Sequence, residues 1–497
     1  MLFQRTLERQ PDALALLDPL NKVQLTGHLP KQLTYAEADR AVAALSTYFV
    51  ELGLPANSVI AIQLPNTIEF VVTVLAAHRA GLVVAVLPLL WRHAELTAAL
   101  NRTAARAIVT MSKIDGVSYA DLAAHAAAES FSIRHACGFG PELPNGMASL
   151  DEVLTREPRL IRSVIQDGRK VAVISFDVTA EGFRPVPRPH FSLIAAGLAI
   201  SLESDVQQGA AVMSAFAPTS FAGLASSLVI WLLSGGTLVL HHPFNNEVLE
   251  LQINAQGCDV LVAPAQLALS LGKFDLSAQM PSLRNVIGLW RAPEQVTAGD
   301  AWTAPHAQLT DVYLFGEAGL LAAKRNENGI PAPLMPALQE APSGPSHPSI
   351  ACEIILSPQG TLGLRGPMVP VTAYAPPRPF RESLAAPSRH EYVDTGYPAQ
   401  IDQPSGAICI TAPPSGIVAI GGYRFLSNDL EEWARRLGQG AALTALPDRL
   451  NGHRLAGQAK DNNRARKVLG ELGLNPLMVE AFSDQAAQLS NHSDELV

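Results

Sequence analysis

The chain has 497 residues, of which 48% are hydrophobic, 16% charged and 6% aromatic, with a formal net charge of -9. That length exceeds one compact core and predicts two or three domains whose interiors Ala, Val and Leu must fill. The composition excludes intrinsic disorder, and the lack of a Lys/Arg block able to track a phosphate backbone argues against a nucleic-acid partner.

In chain order, the opening run MLFQRTLERQPDALALL carries charges where a signal peptide needs an apolar core, so export is not expected. SVIAIQL reads as a buried strand, after which Asn66 is placed to cap a helix and Gly81 to end it in a left-handed conformation. Strand and helix runs then alternate: RKVAVISF, HFSLIAAGLAISLE, AAVMSAF, FAGLASSLVIWLL and GGTLVLHH, followed by helix NEVLELQINAQG and strands CDVLVAP and SLRNVIGLW. This alternation predicts an α/β fold with parallel sheets covered by helices. Phe221 to Leu233 is the most apolar stretch, but it falls short of the roughly 20 residues of a membrane span and reads as a buried core helix. Pro331 to Pro348 and Tyr374 to His390 read as irregular connectors around a hairpin, ACEIILSPQGTLGLRGPMVP, turning at Pro358-Gln359-Gly360. Beyond Pro413-Pro414 a compact αβ unit is expected, with strand IVAI, turn GGYRF, helix NDLEEWARRLG, strand AALTALP, then HRLAGQAK and helix RARKVLGELG.

Cys137, Cys258, Cys352 and Cys409 lie far apart, which argues against a zinc site or disulfide framework and for a reduced, cytoplasmic setting. His241 and His242 are neighbours on a strand and face opposite ways, so a strand-end surface pair is expected rather than a shared metal site.

The order of TYAEADRAVAALSTYFVELG, SVIAIQLPNTIEFVVTVLAAHRAGLVVAVLPL and ARAIVT, with LRGP and GGYRF later, resembles the acyl-CoA synthetase, or AMP-binding ligase, superfamily. The resemblance implies a large domain over residues 1–413, made of two packed αβ sheets plus a small β-barrel. It implies a small, shortened C-terminal α+β domain over 414–497 that stops before the family's catalytic-lysine segment. The chemistry it implies is AMP-forming acid–thiol ligation with ATP, magnesium and CoA.

At the nucleotide-handling positions the sequence departs from that pattern. The family's flexible phosphate loop corresponds to Ile174 through His190, where Ser175, Thr179 and Gly182 remain while Val186 stands at the lysine position. Asp177 and Glu181 bring negative charge toward a polyphosphate, and three prolines stiffen the segment. Arg184 and Arg188 are the substitutes available to a rebuilt site. Where the family lays adenine against small residues, Trp290 either fills that space or stacks on a different ligand, with Arg291 holding an anion. The aromatic-Gly-x-Thr-Glu turn corresponds to Phe315-Gly316-Glu317-Ala318-Gly319, so the metal-binding glutamate is Gly319 and Glu317 reaches inward only by a shift of register. Tyr397 stands where the family's ribose-binding aspartate is expected, and the hinge arginine is replaced near Pro413. Lys460 and Lys467 are the remaining lysine candidates, both in a stretch that reads as solvated helix. The SAFAPTSFAGL segment corresponds to the element beside the acyl pocket, which assigns Phe216, Ser220, Phe221 and Gly223 to that pocket, with Ser220 in the histidine position.

A site lacking the lysine, glutamate, aspartate, hinge arginine and final lysine points to a non-ligating relative, a pseudoenzyme of bacterial-type metabolism. No catalytic residue, metal or cofactor is assigned to it. It would bind a small-molecule carboxylate, an acyl thioester or an acyl carrier in a mainly apolar cavity lined by Phe216, Phe221, Gly223 and Trp290. The alternatives are a divergent ATP-dependent acid–CoA or acid–carrier ligase, under which alone ATP, magnesium and CoA enter, and a non-catalytic partner of an active ligase. A homodimer is left open, no membrane span is expected, and residues after Gly416 are expected to be a static appendage to ligand binding.

Overall fold

The computed structural model of the protein describes residues 2–158, 167–273, 276–336, 352–370, 374, 392–448 and 451–483. Most of the two expected connectors and the chain from 484 onward lie outside the described residues. A seven-stranded sheet runs, in spatial order, through Gly182–Pro189, Val171–Thr179, Val83–Val86, Val59–Gln63, Ala107–Met111, His135–Phe139 and Met147–Ser149. Its neighbours are parallel except for the antiparallel hairpin at the first edge. An eight-stranded sheet has Leu320–Lys324, Gln308–Leu314, Asn285–Trp290, Val260–Pro264, Val212–Ser214, Leu238–Leu240, Leu14–Leu17 and Gln32–Thr34 side by side, antiparallel only at its two edges. Central strands such as VIAIQ are buried at every position, as parallel strands covered on both faces must be.

One hydrophobic core takes side chains from both sheets and from the helices Ile68–Arg79, His190–Glu203 and Phe221–Ser234. The first of these is buried all round its N-terminal turns, which its mostly apolar sequence permits, with the buried Glu69 compensated by Lys22. Asn66 does not cap it. Its amide instead donates to the Ser214 and His241 carbonyls, joining the two sheets, and the Ile68 amide is satisfied by Asp18 Oδ1 at 2.9 Å. A tertiary partner thus takes the role that local sequence offered to Asn66. Asp18 also belongs to a fully buried triad with Lys22 and Glu69, whose Lys22 Nζ contacts are 2.7 and 2.6 Å. Gly81 does adopt the left-handed conformation just past the helix end, with φ 81°.

Phe221 to Ser234 is buried as expected, but it is not one regular α-helix. A π-turn over Leu224–Val229 interrupts it, and the Ser226 hydroxyl bonds back to the Ala222 carbonyl. His241 is not at the surface. It is buried, its Nδ1 2.8 Å from Gln252 Oε1, and burial lowers its pKa and takes that of His242 to about 4. Among the described residues no group of three or more His, Cys, Asp or Glu side chains is placed to hold a metal.

Where the small barrel is expected, the described residues form a four-stranded antiparallel sheet of Glu353–Leu356, Thr361–Arg365, Val393–Ile401 and Ile408–Ile410. The last unit combines hairpins Ile417–Ile420/Tyr423–Leu426 and Ala442–Asp448/Gly452–Gln458 with helices Ser427–Leu437, Asn462–Glu471 and Pro476–Glu480. It has its own core, which includes Leu430, Leu455, Leu469 and Phe482. No described helix is long and apolar enough to cross a membrane.

Candidate functional site

In an open α/β sheet, ligands gather beyond the carboxyl ends of the strands. Three strands of the eight-stranded sheet deliver their ends to one cavity of about 410 Å³: Phe216 and Ser220 follow the first, Arg291 the second, Gly316 and Glu317 the third. The hairpin edge of the other sheet adds Phe176, Asp177 and Phe183, and the C-terminal unit closes the opposite side with Tyr423, Arg424 and Trp433. The residues after Gly416 are therefore a wall of the cavity and not an appendage remote from it.

The segment expected as a stiffened loop is a paired hairpin. Val171–Thr179 and Gly182–Pro189 run antiparallel from Val171↔Pro189 to Thr179↔Gly182, leaving a two-residue connection, Ala180-Glu181. Pro185, Pro187 and Pro189 recur at every second position, so their missing N–H groups lie along one side. The amides of Arg184, Val186 and Arg188 remain to serve the ladder, as an edge strand allows. Ser175 is buried, Arg184 is exposed, and Asp177 stands opposite Arg184 in register.

Charged groups converge where the hairpin meets the strand ends. Arg424 reaches Asp177 Oδ1 at 3.3 Å and donates to the Tyr397 hydroxyl at 3.0 Å, while Asp177 Oδ2 accepts the Glu317 amide at 2.9 Å. Burial opposes the charge on Arg424, yet Asp177 and Tyr397 beside it hold its pKa above the ordinary value. Glu317 Oε2 accepts the Phe221 amide at 3.0 Å. Burial, reinforced by Asp177, pushes the Glu317 carboxyl up to about 7, against the pull of Arg188 and the Ser175 hydroxyl. Gly316 has φ 58°, and a Cβ there would sit 2.4 Å from Arg424 Nη1 and 2.6 Å from Asp177 Oδ2, so glycine is required both for the turn and for the approach.

Arg188 does not face the cavity. It lies 3.6 Å above the Phe221 ring, donates to the Met368 carbonyl at 2.8 Å and also to the Glu317 carbonyl, and burial lowers its pKa to about 10. Arg291 does line the cavity, 4.3 Å over the Phe216 ring, with one Nη1 bond to the Gly421 carbonyl. Burial lowers its pKa to about 10, and among the described residues it forms no ion pair with a carboxylate.

Of the residues singled out from sequence, Phe216, Ser220, Arg291, Gly316 and Glu317 line this cavity. Trp290, expected to line the cavity, is not among its lining residues. Its indole N–H donates to Asp311 Oδ1 at 2.7 Å inside the sheet core, where Arg325 holds the same oxygen at 2.8 Å. Phe221 is buried beneath Arg188, and Gly223 lies in the helical turn Phe221–Gly223, packed against the Ala217 carbonyl. Phe315 packs edge-on to Tyr397 with ring centroids 5.7 Å apart. Thr179 and Gly182 are at the hairpin tip. Lys460 and Lys467 are exposed, Lys467 lying 3.8 Å from Glu471. The sequence reading missed Arg424 and Trp91 as site residues; an arginine set between two aromatic residues in YRF was the available signal for the first.

Comparison with known proteins agrees with this architecture. The chain is 24% identical to the medium-chain fatty-acid–CoA ligase of Escherichia coli (strain K12) over 196 residues, 39% of this chain and 33% of that protein. The alignment therefore spans about a third of that relative's length. The o-succinylbenzoate CoA synthetase of Bacillus subtilis superposes with a TM-score of 0.70 at 14% identity, covering 96% of this chain and 92% of that one. The amide bond synthetase McbA of Marinactinospora thermotolerans gives 0.68 at 17% identity, covering 96% and 94%. The AMP-binding enzyme family model matches residues 3–356, and the chain belongs to that family of adenylate-forming, acyl-CoA ligase-like proteins.

Proposed function

We propose that the protein binds a small-molecule carboxylate or acyl thioester in the cavity between the large and small units, and does not itself make an adenylate. The observation that carries this reading is Arg291: a half-buried guanidinium lining the cavity without a carboxylate partner among the described residues. A partly desolvated cation whose only polar partner is a backbone carbonyl still gains from an anionic ligand group. The rings of Phe216, Phe176 and Phe183 supply apolar surface for the rest of such a ligand.

ATP fits these residues poorly. A triphosphate needs a run of free backbone amides and positive charge, whereas the hairpin spends its amides on strand pairing and turns in two residues. Asp177 and Glu317 bring carboxyl groups to the same space, and Arg188 is committed to backbone carbonyls beneath it. Nucleotide chemistry has no part in the proposed activity.

Isothermal titration with benzoate and octanoate tests the reading. Binding should weaken at least tenfold in Arg291→Met, equivalent to about 1.4 kcal/mol, and recover in Arg291→Lys. Robust ATP-dependent pyrophosphate exchange with any carboxylate, abolished in Arg184→Ala, would install the divergent-ligase reading instead.

A further inference from the structure

We propose that Glu317 is a specificity-determining residue of this cavity, accepting a hydrogen bond from a hydroxyl on an aromatic carboxylic acid whose carboxylate faces Arg291. The proposal rests on the reading that the cavity holds a carboxylate.

Arg291 and Glu317 leave adjacent parallel strands. Trp290 pairs with Tyr313 in register, Arg291 follows directly on its strand, and Glu317 lies three residues beyond Leu314 at the end of the other; both line the cavity. Among the described residues the two form no ion pair with each other. Arg291 turns to the Gly421 carbonyl and the Phe216 face, while the Glu317 carboxyl is held by the Phe221 amide. Arg188, the cation beneath, bonds the Glu317 backbone carbonyl. A carboxylate accepts about four hydrogen bonds; the Phe221 amide accounts for one. The remaining capacity faces a cavity, and a buried acceptor of this kind calls for a donor.

A cation and an unspent acceptor in one cavity are a template for a ligand with an anion at one position and a hydroxyl at another. What lies around them is flat and aromatic. Phe216 lies under Arg291, the Phe176 and Phe183 rings are parallel with centroids 5.4 Å apart, and Trp91 stands edge-on to both. A rigid ring fills such a space with less loss of rotamer freedom than a hydrocarbon chain.

The test is titration at pH 8 with 2-, 3- and 4-hydroxybenzoate, each beside its methoxy counterpart, and with benzoate and octanoate. At least one hydroxybenzoate should bind tenfold or more tightly than its methoxy counterpart and benzoate. That preference should fall below threefold in Glu317→Leu. In Glu317→Gln the single oxygen is claimed by the Phe221 N–H, an NH2 donor faces the cavity, and methoxybenzoates should gain affinity. The Gln variant decides the matter if the Leu variant fails to fold. Equal binding of hydroxy, methoxy and unsubstituted acids, a preference unchanged in both variants, or octanoate binding tighter than every benzoate overturns this proposal while leaving the carboxylate reading intact. Binding of none of these acids overturns both.

Discussion

Glu317 combines two properties that seldom occur together in a structural residue: its carboxyl is buried at a cavity, and it lacks an ion-pair partner among the described residues. Its pKa rises from 4.5 to about 7 because burial penalises the charged form, so the folded protein holds this proton more tightly than the unfolded chain. The associated stability is complete below pH 4.5 and is lost as pH rises toward 7, because the unfolded chain then gains by ionising first. At 1.36 kcal/mol per pKa unit the loss is on the order of 3 kcal/mol. Urea unfolding of wild type and Glu317→Gln between pH 4.5 and 8.5 should show the glutamine protein gaining on wild type up to about pH 7 and holding a constant difference above it. A difference that does not vary with pH would mean that Glu317 is ionised throughout. Arg291 shows the complementary case, a cation whose partner must come from the ligand, and its substitution is expected to act on affinity before stability.

At the scale of elements, two contacts show how closely the backbone is fitted. The helix His190–Glu203 crosses the π-turn at Gly197, where a Cβ would lie 2.4 Å from Val229 Cγ1 and 3.0 Å from the Ala225 carbonyl. Gly197→Ala would gain up to about 1 kcal/mol of helix propensity but cost about 1–3 kcal/mol by overpacking, so net destabilisation is expected. Chemical denaturation should register it, and adding Val229→Ala should recover only part of the loss, because the Val229 Cβ, 2.8 Å from the new methyl, remains. Stabilisation by the single change would show that the helices separate freely. The hairpin Val171–Pro189 makes the same point for function. Its alternating prolines are compatible with an edge strand, and the amides between them are placed to serve the strand ladder.

For the whole molecule, the question is what holds the C-terminal unit against the large one. Among the described residues the polar ties include Arg424 to Asp177 and Tyr397, Arg291 to the Gly421 carbonyl, and Gln295 to the Gly452 carbonyl at 3.1 Å, with Tyr423 packed against the large unit's apolar cluster. Gly422 lets the small unit approach so closely that a Cβ there would sit 2.7 Å from Arg291 Nε. Arg424→Met removes one partner of a buried pair, a change worth about 3–5 kcal/mol because Asp177 is left unpaired. Hydrogen exchange should accelerate across residues 417–426, and the double variant Asp177→Asn/Arg424→Met should restore part of the protection. Unchanged exchange in the single variant would show that the docking depends on apolar contacts alone. Since this unit walls the cavity, loosening it should weaken carboxylate binding as well.

The sequence by itself determined the layered α/β architecture, because buried parallel strands and their covering helices announce themselves through continuous apolar runs bounded by turn residues. VIAIQ, CDVLVAP and NVIGLW needed no tertiary information to be read as strands. Motif order likewise made the family legible, and substitutions such as Tyr397 and Gly319 marked where the nucleotide pattern fails. What only the tertiary structure decided were contacts between residues far apart in the chain. Asn66 joins sheets because Asp18 already satisfies the helix it was expected to cap, and Trp290 turns into the core because Asp311 on the neighbouring strand accepts its N–H. Arg424 became a site residue because Asp177, 247 positions earlier, waits across the cavity. Periodicity records which side of an element is buried, but not which distant partner will meet it, and polar side chains in a low-dielectric interior are placed by that partner.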